Sequence, residues 1–184
     1  GRLAITCPRA EGQIPAYYNY KRSGRPGDME HSSTVRHIDV PNAPLYPFGY
    51  GLSYSSFSYG KPFTDKESYT RRDTVNVYVD VTNTSGTDGE ETVQVYVKAL
   101  REGTPNAQLK GIKKVTLQPG EKREVSVKLP LSAFALYDEE AVNRVGMGEY
   151  LVSIGGSQPD KRSEKLTGKK VATMKIKAET EFIL

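Results

Sequence analysis

The 184-residue chain carries 26 Lys and Arg against 22 Asp and Glu, a formal net charge of +4, and 36% of its residues are hydrophobic. Its mean hydropathy of −0.57 sets it far from membrane and collagen-like compositions, and no apolar run approaches the roughly 18 residues that a bilayer-spanning helix needs. The single cysteine, Cys7, rules out an internal disulfide and leaves the redox compartment open.

From Gly1 to Ser53 the sequence shows little periodicity and a heavy load of Pro, Gly and Tyr. It opens inside a β-like run, Arg2-Leu3-Ala4-Ile5-Thr6, with no basic-then-apolar leader, so an N-terminus cut from a longer chain is expected. Alternation then sets in. Over Asp73–Asn83, Val75, Val77, Val79 and Val81 share one face, against Asn76, Tyr78, Asp80 and Thr82. Thr84–Gly89 is a cluster of turn formers, and Glu91–Leu100 alternates again through Val93, Val95 and Val97. Lys110–Leu117 is followed by Pro119-Gly120, where Pro presets φ and Gly accepts a positive φ, as a type II turn requires. Glu124–Leu129 alternates once more. Leu131–Leu136, after Pro130, reads as a short helical turn, and Glu149–Ile154 and Val171–Ala178 supply two further strands.

Successive strand side chains point to opposite sheet faces, so alternation marks a half-buried strand. Runs of this kind, separated by turn residues and free of helical periodicity, predict an all-β, two-sheet antiparallel sandwich. Lacking a Cys–Trp–Cys framework, the fibronectin type III kind of sandwich fits better than the antibody kind. The late lysines, Lys161, Lys165, Lys169, Lys170, Lys175 and Lys177, read as a solvated strand face rather than a nucleic-acid patch, because Lys175 and Lys177 alternate with Met174 and Ile176.

Pro44-Leu45-Tyr46-Pro47-Phe48-Gly49-Tyr50-Gly51-Leu52-Ser53-Tyr54 resembles the stretch that, in glycoside hydrolase family 3, closes the family's α/β sandwich domain and leads into a fibronectin type III-like domain. Upstream, Gly12–Lys21 and Ser23-Gly24-Arg25-Pro26 resemble the "GQIPxYYNHKxxGRP" stretch of bacterial β-glucosidases. Downstream, Glu91–Tyr96, Leu109–Val115, Pro119-Gly120-Glu121, Gly148-Glu149-Tyr150 and the ending Glu181–Leu184 follow the family in order. Tyr20 stands where the family commonly has His, and Ala4-Ile5-Thr6-Cys7 where Pro-Val-Thr-Phe is common.

The resemblance covers essentially the whole chain. It implies that residues 1–53 are the tail of the α/β domain with a connecting segment, and residues 54–184 the fibronectin type III-like sandwich. It also implies a parent enzyme that releases terminal non-reducing β-D-glucosyl residues with retention, by two carboxylates roughly 5–5.5 Å apart. The aspartate nucleophile, in a Ser-Asp-Trp-like setting, belongs to a first domain absent from this Trp-free chain, and the glutamate acid/base belongs upstream of Gly1. No catalytic residue is therefore expected here, nor activity of the chain alone. The expected partners are the catalytic domains of the same enzyme and, through them, oligosaccharide. A homodimer stays open, nucleic acid and membrane are not expected, and the compartment implied is periplasmic or secreted.

The residues themselves agree in offering little chemistry. Asp138-Glu139-Glu140 reads as a solvated turn, since adjacent carboxylates project apart and share no base. His31 and His37 lack the spacing of metal ligands, Ser32-Ser33 lack a nucleophile elbow, and Gly49-Tyr50-Gly51 lacks the strand–turn–helix setting of a phosphate loop. No metal or cofactor is implied. Tyr46, Phe48, Tyr50, Tyr54 and Phe57, with Gly49 and Gly51 permitting close backbone approach, read as an interdomain docking surface rather than a sugar-stacking platform. Within the long polar loop 21–42, Arg22, Arg25 and Arg36 are the candidate substrate-rim donors, against the alternative of a surface linker. Two other readings remain: a free-standing carbohydrate-binding or protein-interaction module, and a parent that is a β-xylosidase, arabinosidase or N-acetylglucosaminidase.

Overall fold

A computed structural model describes residues 1–21, 37, 39–71 and 73–184. Arg22, Arg25 and Arg36, together with His31 and Ser32-Ser33, lie outside the described residues. Twelve strands run through the described part: β1 (Phe57–Tyr59), β2 (Phe63–Thr64), β3 (Ser68–Tyr69), β4 (Val75–Asn83), β5 (Gly89–Ala99), β6 (Gln108–Leu117), β7 (Lys122–Leu129), β8 (Leu136–Tyr137), β9 (Asn143–Val145), β10 (Gly148–Gly155), β11 (Ala172–Ala178) and β12 (Phe182–Ile183). One sheet is built on β4, with β7 on one edge and the short β1 and β2 on the other. The second has the order β3-β11-β10-β5-β6, and a small sheet β12-β9-β8 closes one end. Pairing is antiparallel except where β3 meets β11.

The alternation in the sequence is what builds this sandwich. Val75, Val77, Val79 and Val81 of β4 are fully buried, and they join Val93, Val95 and Val97 of β5, Leu117, Leu129, Val152 and Ile154 in one core. Each such side chain contributes about 1.5–3 kcal/mol on burial. The Gln118–Glu121 turn closes with the Glu121 N–H donating to the Gln118 carbonyl at 3.0 Å, and Gly120 takes φ +73°. The helical turn expected after Pro130 is a 3-10 turn over Leu131–Phe134. At the end of β4, Asn83 is wholly buried and fully bonded: its amide donates to Thr87 O (2.8 Å) and Leu117 O (3.0 Å), and its oxygen accepts from Ser85 N (2.9 Å).

Two expectations need correction. Helical structure is present: α1 spans Lys161–Thr167, capped by Asp160, whose carboxylate accepts from Arg162 N (2.8 Å) and Ser163 N (3.0 Å). Lys161 and Lys165 therefore sit on this helix, whereas Lys175 and Lys177 do alternate outward along β11. The signal was the N-cap Asp160 and the terminating Gly168, which bracket too few residues for a visible apolar period. The opening run Arg2–Thr6 is also no strand. It lies antiparallel to residues 45–50 with only one isolated bridge, Cys7 to Tyr46.

Candidate functional site

Strand β5 is the element on which the candidate site is built, because it is buried on both faces. Its valines enter the core, yet Gln94 and Tyr96, on the opposite face, are 2% and 0% exposed. Ser153 of β10, the register partner of Tyr96, is buried as well. An uncovered sheet face would be wet at these positions. What covers it is the segment before β1.

That segment folds back on itself first. Leu3 N donates to Tyr50 O (2.8 Å), Gly49 N to Leu3 O (2.8 Å) and Cys7 N to Tyr46 O (2.9 Å). Gln13, itself buried, accepts from Arg9 N (2.6 Å) and donates to Pro41 O (2.7 Å), tying the next stretch to the same body. The tip of the folded segment then meets β5 through side chains. Gln94 donates from Nε2 to Gly49 O (2.9 Å) and Gly156 O (3.1 Å), while its Oε1 accepts from the Tyr96 hydroxyl (2.6 Å). Burial pushes the Tyr96 phenol well above its ordinary range, so it remains a donor. Tyr18 stacks on Phe48 at 4.1 Å between ring centroids and meets Tyr96 edge-on at 6.5 Å, and its hydroxyl accepts from Leu109 N (3.3 Å).

Gly49 is where a side chain is intolerable. It takes φ +75°, and a Cβ there would stand 2.3 Å from Gln94 Oε1 and 2.5 Å from the Tyr96 hydroxyl. Along the same seam Arg2 pairs with Glu91 of β5, a carboxylate that is nine-tenths buried, and donates to Gly51 O (3.1 Å). Arg162 of α1 reaches Leu45 O (2.9 Å).

A groove of about 690 Å³ opens beside the seam, between β1 and the connection from α1 to β11. Arg2, Tyr50, Tyr59, Glu91 and Val171 are among its lining residues, and Leu52 stands at it 81% exposed. The Tyr59 hydroxyl is buried and has no hydrogen-bond partner among the described residues. Burial first, then the charge of Glu91, pushes this phenol far above its ordinary range, with Arg2 opposing.

The aromatic residues singled out in the sequence thus divide. Phe48 and Tyr50 are committed to the seam, with Tyr50 stacked on Tyr46 at 5.4 Å. Phe57 is 3% exposed and belongs to the sandwich core, so its ring has no surface to offer a neighbour. Tyr46 is partly exposed and Tyr54 fully so. Gln94, Tyr96, Tyr18, Arg2 and Glu91, absent from the sequence-based set, make up most of the seam. Asp138-Glu139-Glu140 is a turn between β8 and β9, where Asp138 Oδ1 accepts from Glu140 N (3.0 Å) and Val142 N (2.9 Å). Among the described residues no group of three or more His, Cys, Asp or Glu could hold a metal ion, and no helix is long and apolar enough to cross a membrane.

Comparison with known proteins follows the same outline. The fibronectin type III-like domain family matches residues 91–158. The periplasmic β-glucosidase of Salmonella typhimurium is 37% identical over 159 residues, covering 84% of this chain and 21% of that protein. A β-xylosidase of Formosa agariphila is likewise 37% identical over 159 residues, covering 85% of this chain and 21% of its own length. The crystal structure of the Listeria innocua β-glucosidase in complex with isofagomine superposes over 100% of this chain and 25% of its own, with a TM-score of 0.82 and 32% identity. The chain spans about a fifth of the length of the curated relatives it matches.

Proposed function

The chain belongs to the family of the glycoside hydrolase family 3-type β-glucosidases and β-xylosidases, as their fibronectin type III-bearing C-terminal part, and from this we propose that it braces the catalytic domains of a β-glucosidase without contributing to catalysis. The parent reaction in this reading is retaining hydrolysis of terminal β-D-glucosyl residues. β-Xylosidase is the alternative parent that the Formosa agariphila relative supports.

The observation that carries the bracing role is the doubly buried strand β5. With Gln94 and Tyr96 sealed under the described residues that precede β1, that part of the chain and the sandwich form one packed body. A flexibly tethered binding module has no need of such a seam. We place the boundary between the two parts at residues 53 and 54, a division supported by the absence of strands before Phe57 among the described residues. Arg22, Arg25 and Arg36 are proposed as substrate-rim donors, and a periplasmic or secreted location is supported by the name of the Salmonella relative.

Two measurements test the proposal. The 184-residue chain should release no aglycone from an aryl β-glucoside, and calorimetric titration with cello-oligosaccharides should register no binding. Clear binding would establish a free-standing carbohydrate-binding module instead. In the intact enzyme, alanine at Arg22, Arg25 or Arg36 should raise KM with kcat little changed; unaltered kinetics at all three would return the loop to a surface linker.

A further inference from the structure

The groove beside the seam combines features that a finished surface seldom shows. Its lining includes Tyr59, whose buried hydroxyl has no hydrogen-bond partner among the described residues, and the pair of the half-buried Arg2 with the buried Glu91, and its wall is β1, a strand that presents an edge there. Along that edge Phe57 O accepts from Lys169 Nζ (2.8 Å). Leu52 lines the groove at 81% exposure, and Tyr54, two residues on, is fully exposed. A buried donor without an acceptor is costly, and large exposed apolar side chains grouped beside a groove mark an interaction surface.

We infer that the groove between β1 and the α1–β11 connection is the seat of the catalytic portion of the same polypeptide, which packs on Leu52 and Tyr54. This rests on the reading of the chain as part of a longer glycosidase. Two observations select that occupant. Matched relatives devote only 21% of their length to this region, so roughly four fifths of each lies outside it. The groove is also continuous with the seam: Arg2, Tyr50 and Gly51 line it, so a body packed on residues 1–53 reaches it directly. Its sheer size would suit a monosaccharide too, and that occupant is an outcome of the test.

The experiment compares amide hydrogen exchange of the 184-residue chain with that of the intact polypeptide encoded by the gene, each as wild type and as Leu52→Asp. Exchange over residues 52–59 and 166–172 should slow at least about tenfold in the intact polypeptide, and Leu52→Asp should restore it there while leaving the short chain unchanged. Cleavage of an aryl β-glucoside by the intact polypeptide reports separately on the underlying reading. An active intact enzyme with no slowing in these segments overturns the groove assignment and leaves that reading standing. Slowing in the short chain on addition of glucose or cellobiose overturns it in favour of a sugar site. Slowing in an inactive intact polypeptide supports the groove and sinks the glucosidase reading.

Discussion

In the sandwich, β4 and β7 face each other through eight register pairs, from Val75↔Leu129 to Thr82↔Lys122, and backbone groups satisfy backbone groups along the way. Between the described residues of 1–53 and β5 there is no such ladder: Gln94, Tyr96, Tyr18 and Arg2 reach across with side chains, and one glycine carbonyl receives the central bond. The first arrangement tolerates many sequences, since any alternating strand can supply it. The second depends on a few irreplaceable residues, because a buried polar group stripped of its one partner has nothing to turn to.

The difference can be broken most directly at Gly49. Gly49→Val sets a β-branched residue at φ +75° and drives it into Gln94 and Tyr96. Backbone strain and overpacking together should cost about 4–5 kcal/mol in thermal or denaturant unfolding, with loss of the near-ultraviolet dichroism of the buried tyrosines. A stable variant with the wild-type tyrosine signal would mean the seam is not built as described. The sandwich supplies the control. Leu117→Ala opens a cavity in the valine core and should cost about 3–4 kcal/mol, with far-ultraviolet and tyrosine signals lost together. A midpoint unmoved by this change would place the stability outside the core.

Gln94→Leu sharpens the comparison, because it preserves bulk and removes only hydrogen bonds. Gly49 O, Gly156 O and the Tyr96 hydroxyl each lose a partner, and the expected cost is about 2–3 kcal/mol. A neutral result would show the seam to be held by ring packing instead. The smallest effect is on the surface of the sandwich. Lys66, followed by the Thr70 backbone and side chain, holds the Asp73 carboxyl down to about 2. A depressed folded value stabilises above the ordinary carboxylate range, and the contribution is lost as pH falls from about 4 through about 2. Asp73→Asn should therefore lower stability slightly at neutral pH and flatten the unfolding profile between about pH 4 and 2, the two proteins converging at the acid end; a deficit that persists undiminished at the lowest pH would contradict the assignment.

The glycosidase-like motifs and the sandwich were both legible in the chain, but the site was only half so. Phe48, Gly49 and Tyr50 could be singled out because a run of aromatics with interspersed glycines is an unusual local pattern. Within the described chain Phe48 stacks on Tyr18, Tyr50 on Tyr46, and the Gly49 carbonyl is bonded by Gln94 of β5. Gln94 and Tyr96 fall in the family-like run Glu91–Tyr96, but as polar residues at outward strand positions they gave no sign of their burial. Asp160 and Gly168 did bracket α1, but a helix of seven residues carries too little period to separate from its β-rich surroundings.

What the sequence determined by itself is the sandwich: valines at every second position force strands, and turn residues between them set where each strand ends, because both are local consequences of the pleat and of backbone dihedrals. Only the tertiary structure decided that the outward face of β5 is covered, that Phe57 turns inward and Tyr54 outward, and that a groove stays open beside Arg2 and Glu91. Burial of an outward face depends on which distant segment arrives there, and that is a property of the assembled chain rather than of any stretch of it.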